Sequence, residues 1–264
     1  MLTWDLDPVM LQGSVPLTYY GLIFALTVVG GFLLWRWQMR RGGHADEVSA
    51  PLMAYCLVGL VAGARLGHCL FYDWQRSLDS PLFVLKVWQG GLSSHGATVG
   101  LVAALALYAR RYRLPLAEVT DRFSFSAALG AATIRIANFL NSEIVGRPTG
   151  GSWGVRFPRH DRRLPLNRVP LRHPSQLYEA ALGLTILGLL LVVDHRQGEQ
   201  RRNGLLSALF LVLYFAGRFL VEYVKERQAL PLDFPLSMGQ LLSLPPLALG
   251  LLWLVRLRVQ TTTP

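Results

Sequence analysis

Arginine, asparagine and glutamate recur inside apolar runs of this 264-residue chain, at spacings that put them on shared helix faces. The stretch IRIANFLNSEIVGRP, residues 134–148, holds Arg135, Asn138, Asn141 and Glu143. Arg135 and Asn138 are three apart, and Ser142 continues that face. A second set, Tyr214, Arg218 and Glu222, is spaced by four. Guanidinium groups from two helices can converge on one anion, because the planar fork suits phosphate oxygens. A charge at mid-bilayer costs about 2.5–3.5 kcal/mol on insertion scales, so an ionisable residue in a span is a functional-site hypothesis by default. For Arg218 and Glu222 a second reading stands beside this one, a local ion pair that anchors its helix against neighbours.

His95 lies in GGLSSHGATVG, between glycines that permit close approach of backbone or ligand. Its near-neutral intrinsic pKa makes it the natural candidate for accepting a proton. The alternative is a hydrogen-bonded structural histidine. Other polar residues inside apolar runs are Arg65 and His68, Asp121 and Arg122, and His173, Gln176, Tyr178 and Glu179 of RHPSQLYEA. The sequence has no HExxH or CxxC spacing for a metal, and no GxSxG, phosphate-binding or dinucleotide-binding glycine motif. Nor does it show the internal repeat common in transporters. The two cysteines, Cys56 and Cys69, fall in one helical run and cannot bridge, so they read as small core residues.

The elements that must carry these residues are membrane helices. The chain is 52% hydrophobic and 16% charged, with a mean hydropathy of +0.35, too apolar for an ordinary soluble domain. A spanning helix needs roughly 20 mainly apolar residues. Seven stretches qualify, near 16–35, 51–71, 92–109, 120–141, 175–193, 204–224 and 237–255, the third and fourth being weaker. The expected fold is therefore an all-α polytopic membrane protein, a single membrane domain over 1–264 with residues 142–174 as a head between the fourth and fifth helices. The segment before the first span carries no positive charge and ends in no clear small-residue cleavage site, so that helix is expected to be retained.

Short loops fix orientation through Lys and Arg. Loops one, three and five with the tail hold eleven, whereas loop two and loop six hold four. This places the N-terminus outside and the C-terminus in the cytoplasm. The 142–174 segment adds seven arginines to the outer side and levels the count at eleven each, so the rule decides only if that segment is set aside. It is rich in Gly and Pro with β-like pieces such as WGVRF, as in a small folded cap. Its arginines either face anionic lipid headgroups or are scattered solvated charge. The net charge of +10 fits a partner of anionic lipid. It does not point to nucleic acid, because no basic stripe is interleaved with stacking aromatics.

IRIANFLNSEIVGRPT resembles the motif of the bacterial prolipoprotein diacylglyceryl transferase family. That motif runs Gly-Arg, any residue, Gly or Ala, Asn-Phe, an apolar residue, Asn, any residue, Glu, two residues, Gly. Arg135, Ala137, Asn138, Phe139, Asn141, Glu143 and Gly146 fit it. YYGL at 19–22, GLSSHGATVG, RHPSQLYEA at 172–180, GRFLVEYV at 217–224 and SMGQLLSLP at 237–245 are similar to further family motifs, in the same order along nearly the whole chain.

The resemblance implies a seven-helix bundle in the bacterial inner membrane with a periplasmic head and an outer N-terminus. It implies transfer of a diacylglyceryl group from phosphatidylglycerol to the lipobox cysteine thiol of a prolipoprotein, the first step of lipoprotein maturation. The products would be a thioether and glycerol 1-phosphate, with no metal or organic cofactor. By the same resemblance Arg135 and Arg218 would hold the phosphate and leaving group. Asn138, Asn141, Glu143 and Gly146 would shape the headgroup site, and Glu222 would orient Arg218. Tyr20 and Tyr214 would line the site, and His95 would assist deprotonation of the thiol. Three positions depart from the family pattern, namely Ile134 for Gly, Ala97 where Gly is common, and His68 for Tyr. They bear on substrate range and activity more than on fold. A non-catalytic protein that binds phosphatidylglycerol or lipoprotein is the alternative class, and a transporter a third.

Overall fold

The computed structural model describes residues 2–13, 16–227 and 234–259. Among the described residues seven long helices carry the chain: α1 Tyr19–Arg41, α2 Leu52–Phe71, α3 Ser94–Arg111, α4 Leu116–Leu140, α5 Ser175–Gln197, α6 Leu205–Val221 and α7 Met238–Val259. Six stretches are long and apolar enough to cross a membrane: Tyr19–Arg41, Asp46–Phe71, Leu116–Leu140, Ser175–Gln200, Leu205–Val224 and Met238–Val259. Many of their large apolar side chains, such as Leu26, Val58 and Leu252, stand more than half exposed, as lipid-facing residues must. The chain is a multi-pass membrane protein. The third expected span forms α3, but it is not among the six, because its 18 residues open on Ser-His-Gly-Ala-Thr and close on two arginines.

The chain divides into two compact units, Arg36–Thr120 and Met1–Trp35 with Asp121–Pro264. In the first, α2 and α3 meet through glycines. A Cβ on Gly63 would stand 2.7 Å from Gly100 Cα, and one on Gly67 would stand 2.7 Å from Gly96 Cα. Small residues every fourth position let two backbones touch where lipid offers no hydrophobic drive. The loop before α3 is tied to α2 by Ser93, whose N–H donates to the Ala64 carbonyl at 2.9 Å and whose Oγ caps Gly96 N at 3.3 Å. Buried Arg65 donates to the carbonyls of Phe83, Val84, Gly90 and Gly91 and stacks on the Phe83 ring, so it staples that segment to α2.

In the second unit, Phe125, Ala128, Ile186, Leu190 and Leu206 form a core from α4, α5 and α6. Gly183 admits α4 closely, since a Cβ there would lie 2.7 Å from Ala132 N. Asp121 of α4 caps α6, accepting from Gly204 N at 2.8 Å and from Ser207 N and Oγ at 2.7 Å each. The first N–H groups of a helix have no partner within it, and a carboxylate also suits the positive end of its dipole. Ser237 and Gln240 make a reciprocal cap at the start of α7, at 2.9 and 3.2 Å.

The 142–174 segment is folded. Val145, Val155 and Phe157 cluster with Phe139 of α4, joined by Trp4 and Leu140. Strand β1, Leu2–Thr3, pairs in parallel with Val155–Arg156, which lies inside the β-like WGVRF. Arg172 grips Asp161 with two nitrogens, at 2.9 and 2.7 Å, and reaches Glu226 at 3.3 Å.

Candidate active site

The polar stretch that follows α4 is bent back onto the helix by its own backbone. Ser142 and Ile144 both adopt positive φ, +55° and +53°. For a β-branched residue such as Ile144 this is a costly conformation that neighbours must enforce. They do so through Glu143 N to Asn138 O at 2.9 Å, Gln176 Nε2 to Glu143 O at 2.7 Å and Ser175 Oγ to Ile144 O at 3.2 Å. The turn returns the Glu143 carboxylate to the helix face, where it accepts from Asn138 Nδ2 at 3.4 Å and Asn141 Nδ2 at 3.3 Å. Asn138 Oδ1 in turn accepts from Arg135 Nη1 at 3.2 Å. Arg135, Asn138, Glu143 and Asn141 are thus one hydrogen-bonded chain, of which spacing alone joins Arg135 and Asn138.

Beyond this turn isolated β-bridges join Gly146 to Lys225 and Pro148 to Arg172. Gly146 N donates to His173 O at 3.0 Å, Arg147 N to Val224 O at 2.9 Å, and Glu226 N to Val145 O at 3.3 Å. A Cβ on Gly146 would collide with His173 and stand 2.8 Å from Val224 O. Glycine at 146 is therefore explained by backbone packing, and it shapes the site by letting these segments meet. Burial, followed by the nearby Arg147 charge, lowers the His173 pKa.

The bridge to Gly146 also holds Lys225, whose ammonium stands beside the buried carboxylate of Glu179, the fifth residue of α5. Glu179 is the hub of the cluster. Its Oε2 lies 3.0 Å from Arg135 Nε and 3.6 Å from Lys225 Nζ, and its Oε1 accepts from Arg218 Nη1 at 3.3 Å. The Arg135 contact is an ion pair off the hydrogen-bond line, so Oε2 receives charge without an aligned donor. The Glu179 side chain is 2% exposed, against 13% for Arg135 and 22% for Arg218. Glu222 pairs with Lys225 at 3.4 Å and rests on Gly239, where any Cβ would collide with its carboxylate. Burial lowers the Lys225 pKa, and Glu179 is the largest of the charges that oppose this.

Gly146 apart, the expected residues fall into four groups. Arg135, Asn138, Asn141, Glu143 and Arg218 share one network through Glu179. Tyr20 lies near Glu143 and Arg135, and Tyr214 stands one helical turn before Arg218. Glu222 makes its ion pair with Lys225, and the carboxylate paired with Arg218 is Glu179. His95 belongs to the other unit, where it is exposed in the first turn of α3 and has no hydrogen-bond partner among the described residues.

Spacing does not single out Glu179 or Lys225. Glu179 had a usable signal, since a carboxylate in the first turns of an apolar helix needs a partner as much as Arg135 does. Lys225 reads in sequence as one loop charge among several. At ion-pair range Arg135, Arg218 and Lys225 outnumber Glu179 and Glu222 by one positive charge, and the Glu143 carboxylate stands beyond that range, joined to Arg135 through Asn138. Such a site can hold a singly charged anion, with the less buried guanidiniums as donors.

The family model described as prolipoprotein diacylglyceryl transferase matches residues 8–256. A phosphatidylglycerol–prolipoprotein diacylglyceryl transferase of Tolumonas auensis is 40% identical over 254 residues, covering 95% of this chain and 95% of the relative. Its namesake from Chloroherpeton thalassium is 40% identical over 252 residues, covering 94% and 91%. That from Porphyromonas gingivalis is 39% identical over 269 residues, covering 96% and 93%. With its polar cluster set among membrane helices and a match along almost its entire length, the chain belongs to the prolipoprotein diacylglyceryl transferase family.

Proposed function

We propose that this chain transfers the diacylglyceryl group of phosphatidylglycerol to the lipobox cysteine thiol of a prolipoprotein. The observation that carries the reading is the convergence of Arg135 and Arg218, from α4 and α6, on one buried carboxylate with a positive charge to spare. A phosphodiester brings one negative charge to that excess. In the reaction the cysteine sulfur attacks the glycerol carbon that bears the phosphate. A C–S bond forms, the C–O bond breaks, and its electron pair leaves on the phosphate oxygen of glycerol 1-phosphate. The thiolate and the diester each bring one negative charge, and the departing monoester carries both. Fixed cationic donors stabilise charge that grows on the leaving group, without reorganising at the moment of reaction.

Asn138, Asn141 and Glu143 bind the headgroup region, and Tyr20 and Tyr214 line it. His95 takes the thiol proton, since the thiolate is the nucleophile and a free thiol has a pKa of about 8.5. In this reading α3 is a seventh span. The protein lies in the bacterial inner membrane with its N-terminus and the 142–174 head on the periplasmic side. The lysine and arginine count of the short loops supports that orientation.

The test is to incubate the purified chain with phosphatidylglycerol and a lipobox peptide and to examine the peptide by mass spectrometry. A thioether-linked diacylglyceryl adduct with equal release of glycerol 1-phosphate is expected. Lipid or peptide binding without any adduct would make the chain a non-catalytic binder.

A further inference from the structure

We infer that Glu179 is a positioning residue that offsets the positive charge of Arg135, Arg218 and Lys225 to suit a monoanionic phosphodiester, and so lets the dianionic product leave. The inference rests on the transferase reading above. Three cations from three places in the sequence, Arg135, Arg218 and Lys225, meet within 3.6 Å of one carboxylate that is 2% exposed. Without that carboxylate the three like charges would repel one another in a site with little water to screen them.

The geometry is that of a charge more than of a strut. Glu179 Oε2 has two cations near it and no aligned hydrogen bond among the described residues, and the Oε1 contact with Arg218 is long at 3.3 Å. Arg135 donates one terminal nitrogen to Asn138, which orients its guanidinium, while its Nε faces the Glu179 carboxylate at 3.0 Å as an ion pair. With Glu179 ionised, the excess among the groups at ion-pair range is one positive charge, the Glu143 carboxylate lying beyond that range behind Asn138. Replacing it by the isosteric amide raises the excess to two, which matches a phosphate monoester better than a diester.

An added charge acts twice as strongly on a dianion as on a monoanion. A phosphate monoester has its second pKa near 6 and is mostly dianionic at neutral pH. Glu179→Gln is therefore expected to tighten inhibition by glycerol 1-phosphate about tenfold and to lower KM for phosphatidylglycerol about threefold. It should also lower kcat about tenfold or more, as product leaves slowly and the guanidiniums lose their alignment. Glu179→Asp keeps the charge and should retain wild-type product inhibition even where its shorter reach lowers kcat. A residue that merely stabilised the fold would lower kcat and protein yield and leave both constants for the anions unchanged.

The experiment measures kcat, KM for phosphatidylglycerol and the inhibition constant for glycerol 1-phosphate in the full chain and its variants. Lys225→Met removes a cation from the same cluster and serves if Glu179→Gln does not accumulate. It should weaken product inhibition about tenfold. Product inhibition that is unchanged in Glu179→Gln, or in Lys225→Met, overturns the inference while leaving the transferase reading intact. A wild-type chain that forms no adduct overturns both.

Discussion

An arginine keeps its proton throughout the pH range in which proteins are handled, whereas a buried lysine does not. The cluster on Glu179 holds two of the first and one of the second. Burial lowers the Lys225 pKa below its usual 10.5, so the ammonium loses its charge earlier than a free lysine as pH rises. Lys225→Arg keeps the charge. Its turnover relative to wild type, set to one near neutral pH, should climb through the alkaline range before pH 10.5 is reached, and a flat ratio would show that the Lys225 charge does not support turnover. At this scale the sequence was legible wherever partners are local. Arg135, Asn138, Asn141 and Glu143 lie within nine residues and are bonded in the structure. Glu179 was not legible as their hub, because its three partners come from residues 135, 218 and 225 and only the tertiary fold brings them together. Arg65 and His68 show the limit of treating every polar residue in a span as functional. Arg65 is spent on backbone carbonyls, and His68 pairs with Asp73 at 3.1 Å, five residues away.

At the scale of the element, glycine decides what can pack. The run Gly59, Gly63 and Gly67 faces Gly96 and Gly100, and a Cβ at Gly63 would press into the Gly96 carbonyl as well as Gly100 Cα. Gly188 of α5, in contrast, has nothing within 4 Å of its missing Cβ. Gly63→Ala should therefore destabilise the purified protein by about 1–3 kcal/mol through overpacking. Gly188→Ala should be neutral or slightly stabilising, since alanine is the better helix former by about 1 kcal/mol. Thermal unfolding of the two variants in detergent checks this, and equal midpoints would contradict the packing described. Helix positions were legible from hydropathy, but their ends were less so. The first span was expected to stop near residue 35, yet α1 continues through Arg36–Arg41, because a helix can leave the apolar layer without a break in its hydrogen bonding. The turn at Ile144 was not legible, since nothing local favours isoleucine at positive φ and the restraint comes from Ser175 and Gln176.

For the whole molecule, composition sufficed to read a multi-pass membrane protein, because an apolar surface of this extent has no place in water. α3, the third expected span, is the weak element at this scale, as Ser, His, Thr and Gly lower its hydropathy while its glycines serve packing against α2. The central claim joins that membrane body to a phosphate site. We propose that a phospholipid headgroup is activated by two arginines that a buried glutamate holds together. The most direct test is the rate of thioether formation on a lipobox peptide by purified Arg218→Lys, with phosphatidylglycerol as donor and folding verified by thermal unfolding. Lysine keeps the charge but loses the planar fork, and loss of one fixed donor to a developing anion typically costs about a hundredfold or more. We predict a fall of about that size with an unchanged unfolding midpoint. A variant that transfers the diacylglyceryl group at near wild-type rate would contradict the account.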